Sequence, residues 1–221
     1  MNFEIENVVA EAAGGLEVIV LEADVANAPT TDELWAELEA ASAQIRSDFP
    51  MEMVNKRPAI KATRLAYKAL GKEPNRYRPS AEALCRRCVK GLDLYRSLTI
   101  IDLINLLSIE TGHSIGGFDR DKIEGDTLRL GRGREGEPYE AIGRGQLNID
   151  GLPIIRDAVG GIGTPTSDND RTKLSPDTTK LLMTINKYGP DESGRNVLAR
   201  AIELLEKYAS AHNITYTHHF A

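Results

Sequence analysis

GHSIGGFDRDKIEGDTLRLGRGREGEPYEAIGRGQLNIDGLPIIRDAVGGIG, residues Gly112–Gly163, marks a change of texture in this chain. Between positions 112 and 175 lie 13 of the 19 glycines. They separate short apolar segments, Thr127–Leu130, Tyr139–Ile142, Gln146–Ile149 and Leu152–Ile155, which read as strands joined by tight turns. Upstream the periodicity is helical. Thr30 with Glu33 fits a capping box ahead of Leu34, Leu38, Ala41 and Ile45. Pro58 suits a first turn, Ile60, Tyr67 and Leu70 follow, and Gly71 offers a stop. Ser80 then caps a helix ending near Gly91, and Leu98–Thr111 forms another, stopped by Gly112. Further out, Asn2–Val9, Leu16–Leu21 and Thr178–Ile185 read as strands and Ser193–His212 as an apolar-faced helix. Strands, then helices, then many strands and a helix give an α+β fold of mixed sheets packed with helices, not a regular βαβ winding.

The chain has 221 residues, 41% hydrophobic and 27% charged, enough to bury a core without staples. One domain over 1–221 is expected, with 1–44 supplying N-terminal strands and a helix. No apolar run approaches the ~20 residues of a membrane span. The first residues, MNFEIENVVAEAAGG, are acidic where a secretory signal is basic, so a cytoplasmic protein is expected, with no membrane partner. Two cysteines are too few for a disulfide framework.

The net charge of −6 conceals segregation: residues 1–55 are strongly acidic, residues 56–96 strongly basic. The basic block either attracts a phosphate backbone or docks on the acidic one. Lys61, Arg64 and Lys68 recur at helical spacing on one face. Arg76 and Arg78 flank Tyr77 in the loop Lys72–Ser80, and Arg86 and Arg87 follow on the next helix. Arginine beside an aromatic suits phosphate contact with base stacking.

Three motifs compete for chemistry. Cys85-Arg-Arg-Cys88 has metal or redox spacing but no second pair, so core cysteines are expected, with no metal and no cofactor. Gly131-Arg-Gly-Arg-Glu-Gly136 has dinucleotide-loop spacing, yet a strand follows where a helix N-terminus is needed, so a hairpin turn is expected. The loop Gly160–Asp168 lets backbone approach a ligand and offers Thr164, Thr166, Ser167 and Asp168. Its bland alternative is a rigid connector.

Three stretches resemble a known family: RPAIKATRLAYKALGKEPNRYRPSAEALCRRCVKG (Arg57–Gly91), SIGGFDRDKIEGDTLRLGRG (Ser114–Gly133) and GTPTSDNDRT (Gly163–Thr172). They are similar to the B3/B4 tRNA-binding domain, the editing module of the β subunit of bacterial phenylalanine–tRNA ligase. The likeness spans roughly residues 45–215. It implies an α+β module with a pocket that hydrolyses a wrongly attached amino acid, and tRNA or an aminoacyl-tRNA 3′ end as partner. Asn105, Phe118 and Asp119 carry over as pocket or framework positions. By the same likeness Gly116-Gly117-Phe118-Asp119, read as a turn, should face the loop that contains Gly163, Thr164, Thr166, Ser167 and Asp168. The chain departs from the ligase at Gly116, where the ligase has histidine, and along Gly163-Thr-Pro-Thr-Ser, where it has Gly-Gly and then glutamate. Space over Gly116 for an unusual aminoacyl group is therefore expected. The likeness carries no catalytic residue across; Asp168 is the candidate from the chain's own chemistry. A trans-acting aminoacyl-tRNA deacylase without ligase activity is the first expectation, and a non-catalytic amino-acid-binding protein on the same fold the alternative.

Overall fold

The computed structural model describes residues 1–189 and 196–221. The chain runs through β1 (Asn2–Ile5), α1 (Asn7–Ala12), β2 (Glu17–Asp24), α2 (Asp32–Asp48), α3 (Pro58–Ala69), α4 (Ser80–Val89) and α5 (Thr99–Thr111). It continues with β3 (Ser114–Asp119), β4 (Thr127–Arg132), β5 (Glu140–Ala141), β6 (Gly145–Gln146), β7 (Pro153–Arg156) and β8 (Gly161–Gly163). β9 (Lys180–Lys187), α6 (Val197–Ala209) and β10 (His212–Phe220) complete it. One sheet has the order β10-β2-β9-β3 and is antiparallel throughout. A second, β1-β4-β7-β8, is mixed, because β1 runs parallel to β4. The fold is α+β.

Layering follows from alternation along the central strands. Ile19, Leu21 and Ala23 of β2, with Leu181, Met183 and Ile185 of β9, pack against α2, α5 and α6. The intervening Val18, Val20 and Leu182 pack with Leu128, Leu130 and Ile155 of the mixed sheet. A strand covered on both faces reads as a continuous apolar run, which is why Val18–Leu21 shows no polar alternation. The hairpin β5–β6 stands apart, beside Asn169.

Several sequence readings shift. The strand expected over Asn2–Val9 ends at Ile5, and α1 turns Val9 into the core. Thr31, not Thr30, caps α2, accepting from the Leu34 N–H. Thr30 is buried and donates instead to Asp102, while Glu33 pairs with Lys207, so no capping box forms. Ser80 caps nothing; its own N–H donates to Pro165 O at 2.7 Å. Ser114–Asp119 is a buried strand, not a turn. Of the strands expected at Tyr139–Ile142 and Gln146–Ile149, only the two-residue β5 and β6 form. The Ser193 start of the last helix lies outside the described residues, and its end at Ala209 precedes a strand that the apolar pattern missed. Gly131 to Gly136 carries β4 out of the sheet and into a turn. A Cβ on Gly133 would sit 1.9 Å from Ile149 O, so close backbone packing explains that glycine, and no helix follows to cradle a phosphate.

Candidate functional site

β3 is an edge strand, and its free side bounds a cavity of about 340 Å³. Two glycines at its middle let the wall come close on both faces. A Cβ on Gly117 would lie 2.4 Å from Ile104 Cδ1 of α5, and one on Gly116 would lie 2.9 Å from Thr184 Oγ1 of β9. α5 contributes Ile101, Ile104 and Asn105; the N-terminal end of α4 contributes Ser80 and Leu84; the loop after β8 supplies Thr164 to Asp168.

The cavity lining includes Asn105, Gly116, Gly117, Phe118, Gly163, Thr164, Thr166, Ser167 and Asp168. Asp119 lies outside it. That carboxylate accepts from Thr178 Oγ1 (3.0 Å) and the Asp121 N–H, and pairs with Lys122, which makes it framework. Asp102 is framework too: it accepts from Thr30 Oγ1 (2.6 Å) and the Ser97 N–H, and burial raises its pKa. Space over Gly116 is absent. Residues two apart on a strand share a face, and the Phe118 ring lies 2.7 Å from where a Gly116 Cβ would stand.

The loop hydroxyls are mostly spent on the loop. Thr164 Oγ1 donates to Ser167 O and accepts from the N–H groups of Thr166 and Ser167. Thr166 Oγ1 sits between Tyr67 OH (2.9 Å) and Tyr77 O (3.2 Å). Ser167 has only a long 3.4 Å contact to Asp168 O. Asp168 stands differently. Its Oδ2 accepts from the Gly117 N–H at 3.3 Å, the residue keeps part of its surface open, and burial pushes its carboxyl up to about 7. A carboxyl that titrates near neutrality, aimed into a cavity, can hold or release a proton at working pH.

β9 supplies the part that sequence reading missed. Thr184, Asn186 and Tyr188 succeed one another on one face, line the cavity, and leave Thr184 Oγ1, Asn186 Oδ1 and Tyr188 OH buried without hydrogen-bond partners. Asn186 Nδ2 is used, donating to Ser114 O. The period-two run Thr-Ile-Asn-Lys-Tyr was the available signal, but the sequence reading ended that strand at Ile185.

The basic block divides. Glu82 is fully buried and collects Arg64 and Arg86, each at 2.8 Å, and Arg78 at 3.6 Å. Arg64 also donates to Pro74 O and Asn75 Oδ1, so it and Arg86 build the framework and do not face solvent as phosphate ligands. Arg87 donates to Asp93 O and covers the Tyr95 ring. Tyr77 is half-buried between Lys72 and Arg76. Lys61, Lys68, Arg76 and Arg78 remain exposed. The acidic N-terminal block does not neutralise this region: Glu4, Glu17, Glu22, Glu33 and Glu37 pair with bases at positions 120–207. Among the described residues Arg96–Asp32 is the one ion pair joining the two blocks.

Cys85 and Cys88 are buried free thiols. Arg57 donates to Cys85 Sγ, yet burial dominates and pushes that thiol up to about 11. A melting temperature unmoved by either reductant or zinc chelator is therefore expected. A disulfide or structural metal would contribute several kcal/mol, and a clear drop in a thermal melt would return the pair to chemistry. Among the described residues no helix is long and apolar enough to cross a membrane.

A family model described as the B3/4 domain matches residues 62–210. A solved structure, an N-terminal fragment of the phenylalanyl-tRNA synthetase β-subunit from Pyrococcus horikoshii, aligns over 97% of this chain and 50% of its own at 12% identity and a TM-score of 0.44. This chain thus spans about half of that structure. No curated protein matches.

Proposed function

The chain belongs to the B3/4 domain family, and from that premise we propose that it binds tRNA and hydrolyses, in trans, the ester of a wrongly charged 3′ end. The observation that carries this reading is Asp168, a carboxyl titrating near pH 7 on the wall of a cavity of about 340 Å³. Ester hydrolysis needs a positioned water more than a strong nucleophile. In this reading Asp168 takes a proton as water oxygen bonds to the ester carbonyl carbon. The bond from that carbon to the ribose oxygen breaks, and the proton passes to the ribose. The Ser167 hydroxyl is the loop donor best placed to bind the carbonyl oxygen. No histidine lines the cavity among the described residues, which leaves the carboxyl as the base.

Exposed Lys61, Lys68, Arg76 and Arg78 are the proposed phosphate contacts. Tyr77 O and Ser80 N tie the loop that carries Arg76 and Arg78 to Thr166 and Pro165 on the cavity rim. The test joins a deacylation assay over misacylated tRNAs with binding measured against salt. Four contacts to single-stranded RNA give a log–log slope near −3, at about −0.7 each, and replacing Arg76 and Arg78 by Ala flattens it by roughly 1.4. Absence of binding at low salt, with no tRNA deacylated above background, defeats the proposal. Capture of a free amino acid alone would leave the cavity as a ligand-binding site.

A further inference from the structure

At the tip of the hairpin β5–β6, Ile142 and Arg144 line the cavity. Gly143 and Gly145 adopt positive φ (+67° and +69°), which lets the tip turn tightly around Arg144. The tip is pinned to the same residue that carries the acid: the Ile142 N–H donates to Asp168 O, and Tyr139 OH holds Ser167 O next door. The Arg144 side chain is exposed and makes no hydrogen bond or ion pair among the described residues. Lys173, the other cation among the lining residues, is already paired with Asp170 at 2.8 Å.

The cavity is therefore polarised, with a carboxyl inside and an uncompensated guanidinium at the lip. An anion entering deeply would meet Asp168; a cation held at the lip would meet Arg144. A ligand that suits both ends carries positive charge at its inserted tip and negative charge a short distance behind it. An aminoacyl nucleotide has that arrangement, an ammonium on the amino acid and a phosphodiester on the far side of the ribose. A guanidinium also matches phosphate geometry through two parallel N–H donors.

We propose that Arg144 is a positioning residue that grips the phosphodiester of the 3′-terminal nucleotide and so sets how deep the aminoacyl group enters. This rests on the tRNA reading above, and the experiment separates the two. Two 5′-labelled single-stranded RNAs, one ending in CCA and one in CC, are titrated by fluorescence anisotropy against wild type, Arg144→Ala, Arg144→Lys and Arg76→Ala. For wild type, loss of the terminal nucleotide should weaken binding about tenfold. Arg144→Ala should bind the CCA RNA about tenfold more weakly than wild type, with a salt slope flatter by roughly 0.7, and should no longer distinguish the two RNAs. Arg144→Lys should restore the slope and only part of the discrimination, because it keeps the charge and loses the fork. Arg76→Ala should weaken both RNAs equally. Thermal melts equal to wild type certify folding. If wild type binds and Arg144→Ala retains full affinity and discrimination, this assignment falls and the tRNA reading stands. If wild type binds neither RNA at low salt, both fall.

Discussion

Asp168→Asn should melt higher than wild type at pH 8 and close to it at pH 4, while sharply slowing the proposed hydrolysis. The folded protein holds this carboxyl at about 7 through burial, against an ordinary value of 3.8. Below the ordinary value the acid is protonated in both the folded and unfolded states, and it costs nothing. As pH rises the unfolded chain releases its proton first, so stability falls until pH passes the folded value and then levels off. Three pKa units at about 1.36 kcal/mol each set a ceiling near 4 kcal/mol; the side chain's partial exposure to the cavity brings the expectation to roughly 2–3 kcal/mol. For a chain of this size that is about 5–10 °C in melting temperature. Asparagine keeps an oxygen to accept from the Gly117 N–H, so the gain is electrostatic, not a repacking. The same substitution removes the proposed base and should cut deacylation by about 10²–10⁴, and the wild-type rate should rise with pH through an apparent value near 7. Superimposable stability profiles for the two proteins would show that the carboxyl ionises as freely as in water, and the proposed base would lose its physical ground.

A gain in stability coupled to a loss of activity is the signature of a group kept for function. The β9 row carries a comparable cost. Thr184 Oγ1, Asn186 Oδ1 and Tyr188 OH are buried and unpartnered, and each such group costs about 1–3 kcal/mol until something hydrogen-bonds to it. Together with Asp168 they place three unpartnered polar atoms and a buried carboxyl on one cavity, whereas the other unpartnered side-chain atoms, at Asn55, Asp102, Arg156 and Thr172, lie away from it.

The helices were legible in the sequence because one-sided burial writes a 3.6-residue period: Ile60, Tyr67 and Leu70, or Val197, Ala201 and Leu205, needed no tertiary knowledge. β3 was not. Its six residues are covered on both faces, so alternation disappears, and Gly116-Gly117 resembles a turn although both glycines serve close packing. β10 left no apolar trace because most of its side chains are exposed and β2 supplies its pairing. At the site, the candidacy of Asp168 came from residue type and loop context, and the residue does line the cavity. That Thr164 and Thr166 are consumed internally could not, since a hydroxyl's partner depends on the turn it closes. Likewise, spacing placed Lys61, Arg64 and Lys68 on one face, but Arg64 alone reaches a buried glutamate arriving from another helix.

That glutamate carries the other large expectation. Replacing Glu82 by Ala should destabilise the protein by about 3–5 kcal/mol, the cost of stranding a partly buried opposite charge. Arg64 is only 11% exposed, so water cannot replace the lost carboxylate, whereas Arg78, 42% exposed, loses little. At roughly 2–4 °C per kcal/mol the melting temperature should fall by about 6–20 °C. Glu82→Gln keeps size and one acceptor oxygen and should fall between the variant and wild type. The damage should also reach the cavity, because Arg64 braces Pro74 and Asn75, and the loop they belong to hands Tyr77 O to Thr166 and Ser80 N to Pro165. At a temperature where Glu82→Gln remains folded, its deacylation rate should drop further than its RNA affinity, since the exposed cations Lys61 and Lys68 sit on α3, away from the loosened loop. An unchanged melt for Glu82→Ala would mean that solvent already screens this cluster, and Arg64 and Arg86 would return to the set of cations available for RNA.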